Sequence, residues 1–178
     1  MIRLAPLALC LLLFACKSTT SDDAGMAEKT ATEMAPVEFA DAKYSEIGKA
    51  GLAALSSGDI AKWMESYADN AVYRWNNGDS LVGKQAISEY WTKRRTEAID
   101  SISFNYDIWL PVKVNTPAND RQAPGLWLLS WYETTAKYKT GKTMRQWIHT
   151  DTHFDANDKI DIVIQYLDRA SINAAMTK

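Results

Sequence analysis

The stretch WIHTDTH at residues 147–153 holds the residue types that most often bind metals or transfer protons. It places His149, Asp151 and His153 two positions apart, and the chain has no other histidine. If the stretch is a strand, the three side chains point to one face of a sheet, because side chains alternate between faces. The stretch is then a metal site, an acid/base site or a polar face of the sheet.

Strand geometry weighs against a metal ion held by these three residues alone. Same-face side chains on one strand stand roughly 6.5–7 Å apart, so they splay and do not close on a small ion. A zinc site also needs a fourth ligand, for which Asp161 or Glu133 could serve, although nothing in the sequence selects either. A polar outer face is favoured, and the metal site and a pocket-lining role stay open as alternatives.

Charge and composition narrow the function classes. The chain has 20 basic and 22 acidic residues, a net charge of −2, and shows no basic stripe. Nucleic-acid binding is not expected, because phosphate contacts require clustered Lys and Arg. The chain also has seven Trp, all beyond residue 60, whose large aromatic surfaces must be buried or used for binding.

The N-terminus MIRLAPLALCLLLFACKSTT has the layout of a secretory signal. The apolar run from Leu4 to Ala15 is too short to span a bilayer as a mature helix. The junction Leu13-Phe14-Ala15-Cys16 resembles the bacterial lipobox, which predicts a signal peptide at residues 1–15 and lipid attachment at Cys16. An ordinary secretory signal and a retained anchor are the alternatives. The predicted location is the cell envelope, with the chain lipid-anchored on the periplasmic or outer-membrane side.

Composition divides the rest of the chain. Residues 16–40 are rich in Ser, Thr, Ala and acidic residues, which is typical of a flexible tether. Residues 41–172 are predicted to form one domain with one core, and residues 173–178 a tail.

Hydrophobic periodicity predicts the early elements of this domain. Apolar residues at helical spacing predict a first helix that stops at Gly58, a short second helix capped by Asp59, and a third helix after Gly83. Residues 70–76 have the composition of a strand. The run Lys93-Arg94-Arg95 suits the C-terminal end of the third helix and is interpreted as a solvated helix end in preference to an anion site.

After the third helix the period changes to two. Four strands are predicted within SISFNYDIWL, GLWLLSWYETTAKYK, TMRQWIHTDTHF and KIDIVIQYL. In the first of these, strict alternation puts Phe104 and Ile108 on one face and Trp109 on the other. The order predicts an α+β domain, with three N-terminal helices packed on a curved, mostly antiparallel β-sheet.

At this level the chain resembles the nuclear transport factor 2-like superfamily, which includes SnoaL-like cyclases and ketosteroid isomerase. The resemblance rests on GLAALSSGDIAKWMESYADNAVYRWNNG, on the helix entry GKQAISEYW, and on two last strands joined by a short polar turn. It implies a conical fold with a pocket between sheet and helices. It also implies a possible homodimer through the outer sheet face.

The resemblance does not carry over the isomerase chemistry. The positions of its oxyanion-stabilising tyrosine, general base and second acid fall on Gly51, Trp75 and Thr150. The chain is therefore expected not to be an enzyme. A bulge that shifted the register by one residue would bring Asp151 inward. In that alternative, a lyase or isomerase would use Asp151 with His149 or His153 as acid and base.

A small, largely apolar molecule bound without a cofactor is the favoured function. The expected ligand-binding residues are apolar and aromatic side chains with one hydroxyl: Gly51, Trp63, Tyr67, Trp75, Trp91, Trp131, Thr150 and Tyr166. A protein-interaction module of the cell envelope is a further alternative.

Overall fold

The computed structural model describes residues 34–177. The predicted signal peptide, the lipidation site Cys16 and the tether up to residue 33 lie outside the described residues. Met34–Lys178 form one compact unit. The hydrophobic core is built from residues of this unit, so we expect the unit to fold on its own. Within residues 34–177, no helix combines the length and the hydropathy that a membrane span requires.

Seven strands form one sheet. They are β1 (Val37–Phe39), β2 (Tyr67–Trp75), β3 (Ser80–Val82), β4 (Ile99–Val114), β5 (Gly125–Tyr138), β6 (Thr143–Phe154) and β7 (Ile160–Tyr166). Their order in the sheet is β1-β4-β5-β6-β7-β2-β3. Only the β2–β7 pair among these strands is parallel. The sheet is curved and mostly antiparallel, as predicted.

Three helices precede the long strands and a fourth follows them. They are α1 (Lys43–Ser57), α2 (Ile60–Met64), α3 (Lys84–Lys93) and α4 (Arg169–Met176), and a π-helical turn continues α3 over Arg94–Ala98. Gly58 ends α1 in the left-handed region at φ 84°, where a residue without Cβ is favoured. The Asp59 side chain accepts a hydrogen bond from the Lys62 amide and so caps α2. Both helix-boundary predictions are confirmed.

The structure differs from the prediction at both ends of the domain. Val37–Phe39, predicted as tether, pair with Val112–Val114 at the end of β4. Residues 173–176, predicted as tail, belong to α4, which begins after the N-cap Asp168. A three-residue strand is too short to show a period, and α4 is a single short helix whose main anchor is the small side chain of Ala175.

A β-bulge interrupts β4. The pairing with β5 shifts between Asn105 and Ile108, and Tyr106 adopts a left-handed conformation at φ 55°. The extra residue reverses the alternation along the strand, because two residues of β4 stand against one of β5. Trp109 consequently lies on the same face as Phe104, and the predicted strict alternation is wrong at this strand.

The core lies between the helices and one face of the sheet. We call this the inner face; along β6 it carries Ile148, Thr150 and Thr152, and the outer face carries Trp147, His149 and Asp151. Most of the large buried side chains pack on the inner face, among them Tyr67, Tyr73, Trp63, Trp91, Leu128 and Phe154.

Candidate functional site: the cavity between sheet and helices

A cavity opens between α1, α3 and the inner face. Measured as the space open to the centre of a water-sized sphere, its volume is about 90 Å³. Its walls come from α1 and α3 on one side and from β4 to β7 on the other, and Ile172 of α4 adds to them. A mainly apolar enclosure with few polar groups is the usual form of a small-molecule site.

A short hydrogen-bond network occupies the sheet side of the cavity. The Tyr132 hydroxyl lies 2.8 Å from Thr150 Oγ1, and Ser130 Oγ donates to the Thr150 carbonyl at 3.0 Å. Burial raises the pKa of Tyr132, although hydrogen bonds with Thr150 and Gln165 oppose this shift. The hydroxyl therefore stays neutral around neutral pH and can orient a polar group of a ligand.

Burial, with a smaller contribution from neighbouring tyrosines, raises the pKa of two further cavity tyrosines, Tyr67 and Tyr73, well above 10.0. Neither can act as a base around neutral pH. Tyr67 and Tyr73 therefore line the cavity as neutral side chains.

Two buried polar atoms of the cavity lining have no hydrogen-bond partner: Trp91 Nε1 and Thr134 Oγ1. A buried polar group without a partner costs about 1–3 kcal/mol. A ligand that reached either atom with a polar group would recover part of that free energy.

Five of the eight predicted ligand-binding residues line the cavity: Gly51, Trp63, Tyr67, Trp91 and Thr150. A Cβ at Gly51 would lie 3.3 Å from the Trp63 ring. The room left by the missing side chain is therefore partly filled by that indole.

The other three predictions need correction. Trp75 is buried beside Tyr73 and Tyr90 but lies outside the cavity, in a second pocket next to it. Trp131 and Tyr166 lie on the outer face, because both are cross-strand partners of His149 and directly opposed residues share a face.

Trp109 is a cavity residue that the sequence prediction placed on the wrong face. It enters the lining because of the bulge in β4, and it packs against Gly48 of α1. A Cβ at Gly48 would lie 2.5 Å from Trp109 Cζ3 and 2.7 Å from Leu128 Cδ2. The close approach of helix and strand therefore requires a glycine here, and Gly48 is the local sequence signal that could have indicated it.

The stretch WIHTDTH at residues 147–153 lies in β6, and its titratable side chains point away from the cavity. His149 stacks between Trp131 and Tyr166, with ring centroids 4.5 Å and 5.5 Å apart. The β5–β6 pairing is continuous from Leu126–Phe154 to Lys137–Thr143. The register shift that would turn Asp151 inward is absent from this pair, so the acid/base alternative is wrong in its predicted geometry.

The metal alternative is not supported by the arrangement of these residues. His153 Nδ1 lies 2.6 Å from Asp161 Oδ1 and its Nε2 lies 3.0 Å from the Pro124 carbonyl, so both ring nitrogens have partners. His149 Nε2 lies 2.8 Å from Asp151 Oδ1. Over residues 34–177, no three His, Cys, Asp or Glu residues are grouped to hold a metal ion.

Asp151 is a partly buried carboxylate of the outer face. Burial raises its pKa above the ordinary 3.8, and the neighbouring His149 opposes the shift. The contact with His149 Nε2 at 2.8 Å lacks good hydrogen-bond geometry, since Asp151 Oδ1 has no hydrogen-bond partner. Desolvation therefore outweighs pairing at this residue.

The three positions compared with the isomerase carry no acid or base in the structure. Gly51 and Thr150 line the cavity and Trp75 lies beside it. These three positions therefore supply one hydroxyl and one indole but no carboxylate or imidazole.

Comparisons with known proteins agree with the fold. Residues 49–160 match a family model described as a SnoaL-like domain. No curated protein matches the sequence.

Three similar solved structures come from bacteria. A LEH-like epoxide hydrolase from Mycobacterium tuberculosis is 13% identical over 74% of this chain and 86% of its own, with a TM-score of 0.56. A Pseudomonas putida KT2440 protein provisionally designated a polyketide cyclase is 14% identical over 74% and 96%, with a TM-score of 0.60. A Bacillus subtilis protein provisionally designated an isomerase is 17% identical over 75% and 91%, with a TM-score of 0.58. Likeness at these identities establishes the fold alone.

Proposed function

Because the chain belongs to the SnoaL-like domain family, we propose that it binds a small, largely apolar molecule in its cavity and does not catalyse a reaction there. The observation that carries the proposal is the chemistry of the lining. The described residues of the cavity wall include no Asp, Glu, His, Lys or Cys. Such groups are the usual general acids and bases, and a Ser or Thr hydroxyl becomes a nucleophile only beside a base, which the described lining does not offer to Ser130 or Thr150.

The polar groups of the cavity fit a binding role. Tyr132, Thr150 and Ser130 are hydrogen-bonded to one another or to backbone and are buried. Fixed hydroxyls in an apolar wall can orient a ligand, since specificity in such sites depends on a few well-placed polar atoms.

Binding can be tested with 1-octanol, a neutral amphiphile, and the unit Met34–Lys178. Three tryptophans of the lining report on the cavity through their fluorescence: Trp63, Trp91 and Trp109. We expect saturable binding, weakened about tenfold or more by Leu52→Trp, which fills the cavity from α1. The matched control is Leu129→Trp on the outer face. Absence of binding by the wild type, or equal binding by both variants, would exclude the proposed function.

The proposal includes a membrane-anchored location in the cell envelope. The apolar run at residues 4–15 and the lipobox-like junction before Cys16 support it. Metabolic labelling with a fatty-acid analogue in a bacterial host should label the wild type and leave Cys16→Ser unlabelled. Labelling that survives the substitution would exclude lipid attachment at Cys16.

The outer face favours a second role, self-association. Large apolar side chains are exposed there, with Trp147 at 53%, Tyr106 at 68% and Ile108 at 56%. We propose a second copy of the chain as the partner, because a two-fold contact lets this one aromatic patch cover its own counterpart. Trp147→Lys should convert the dimer to monomer in sedimentation equilibrium. A wild-type monomer at all concentrations would exclude it.

A further inference from the structure

Among the described residues, one cation lines the cavity. Arg94, the first residue of the π-helical turn after α3, contributes to the cavity wall and also to the second pocket beside it, which we call the vestibule. The two spaces share five lining residues: Trp91, Arg94, Gln165, Leu167 and Ile172. Arg94 thus stands at the junction of the two spaces.

The Arg94 guanidinium has no carboxylate partner among the described residues. Its contacts are long: Nη2 donates to the Tyr138 hydroxyl at 3.5 Å and Nη1 lies 3.7 Å from Met176 Sδ. It also lies over the Tyr90 and Trp91 rings, with its central carbon 5.6 Å and 5.8 Å from their centroids. A guanidinium has five N–H donors, so most of its hydrogen-bonding capacity is unused.

The other arginine of the vestibule shows the contrast. Arg169 Nη1 lies 2.5 Å from Asp79 Oδ2, and its guanidinium lies over the Trp75 ring. The charge of Arg169 is therefore neutralised by the protein, and that of Arg94 is not.

A second donor without a partner lies beside Arg94. Trp91 Nε1 is buried without a hydrogen-bond partner, and Trp91 lines both spaces. Guanidinium and indole N–H groups can only donate. Two such donors at one junction, with no acid among the described lining residues of either space, favour a ligand group that only accepts.

The size of the cavity limits the ligand. The space open to the centre of a water-sized sphere is about 90 Å³, so the cavity admits only a small ligand body. The deep wall around such a body is apolar, from Leu55, Ile99, Ile102 and Met144 among others.

We propose that the ligand is a small monocarboxylic acid, with its apolar body in the cavity and its carboxylate bound by Arg94 and Trp91 Nε1 at the junction. This inference rests on the proposed binding function and names its ligand class. Arg94 is thereby a specificity-determining residue that selects the anion over the neutral analogue.

The test compares octanoate, 1-octanol and octylamine, which share chain length and differ in charge. Affinities for Met34–Lys178 are measured at neutral pH by tryptophan fluorescence and by calorimetry. We expect octanoate to bind about tenfold or more tightly than 1-octanol, because charge-assisted hydrogen bonds are about twice as strong as neutral ones. Octylamine should bind most weakly.

Arg94→Gln should abolish the preference for octanoate over 1-octanol. Arg94→Lys, which keeps the charge but not the planar fork, should restore part of the preference. Arg74→Gln is the matched control, because it removes the same charge from an exposed position of β2. Circular dichroism establishes that each variant is folded.

The outcomes separate the two proposals. Equal binding of octanoate and 1-octanol, or a preference that survives Arg94→Gln, would overturn the assignment of a carboxylate and leave the binding function standing. Failure of all three compounds to bind would overturn both.

Discussion

The two faces of β6 carry polar side chains in different surroundings. On the inner face, Thr150 joins a buried hydroxyl network with Tyr132 and faces an apolar cavity. On the outer face, His149 stacks between two aromatic rings and contacts Asp151. The titratable groups are thus all on the side that has no cavity. In this strand, the residues that look most reactive in the sequence lie on the face away from the candidate site.

The difference teaches that residue type alone does not locate a site. An imidazole needs a space in which a substrate can approach it, and here both histidines are packed against neighbouring side chains. A hydroxyl or indole inside an enclosed cavity has greater influence on a ligand, because its polarity is not competed for by water.

The largest expected difference between the faces is in stability. Leu128 is 1% exposed on the inner face, whereas Leu129 is half-buried on the outer face. Leu128→Ala should lower the free energy of unfolding by about 2–5 kcal/mol, and Leu129→Ala by about 1 kcal/mol. Urea unfolding of both variants measures this. Equal losses of unfolding free energy in the two variants would mean that the two faces contribute equally to stability.

The approach of α1 to the inner face can be tested at two glycines. Gly48→Ala should destabilise by about 1 kcal/mol or more, because the clash with Trp109 and Leu128 exceeds the gain in helix propensity. Gly51→Ala, with only the Trp63 ring at 3.3 Å, should be close to neutral. Thermal unfolding of the pair measures the difference. A stabilising Gly48→Ala would contradict the close packing of Trp109.

The hydroxyl network of the inner face should contribute less to stability than the Leu128 side chain. Thr150→Val removes the partner of the Tyr132 hydroxyl at constant shape and should cost about 1–2 kcal/mol. Thr152→Val is the control on the same face and strand, because its hydroxyl has no side-chain hydrogen bond to Tyr132; its effect should stay within about 0.5 kcal/mol. Urea unfolding measures both variants. Equal free energies of unfolding would mean that the network does not stabilise the domain.

The smallest expected change in the free energy of unfolding comes from a residue of the outer face, and this change is a stabilisation. Burial raises the pKa of Asp151 in the folded chain, so its contribution to stability is present below 3.8 and is lost as the pH rises through the folded pKa. Asp151→Asn should therefore stabilise the domain at neutral pH by up to about 1 kcal/mol. The gain should vanish as the pH falls toward 3.8. Urea midpoints over this pH range measure it, and a loss of stability at neutral pH would mean that the His149 contact dominates.

Features set by local chemistry were predictable from the sequence. The left-handed stop at Gly58 and the cap at Asp59 depend on a few neighbouring residues, and both are confirmed. The face of His149 and Asp151 followed from alternation once Thr150 was placed inward, because β6 has no register shift against β5.

Features set by long-range register were not predictable. The outward position of Trp131 and Tyr166 depends on which residues of β5 and β7 stand opposite His149. The inward position of Trp109 depends on a bulge whose cause lies in the pairing of two long strands. Arg94 reads as a solvated helix end in sequence, and only the packing of α3 beside the sheet brings it to the cavity.

The two ends of the sheet have a consequence for how copies of the domain tolerate crowding. Both edge strands, β1 and β3, are only three residues long. A short edge presents few free backbone groups, so another chain cannot readily extend the sheet by strand addition. The strands β5 and β6 are paired along both sides, but β1 covers only Val112–Val114 of β4. The uncovered part of β4 is interrupted by the bulge at Tyr106, and a bulged edge also resists the addition of another strand.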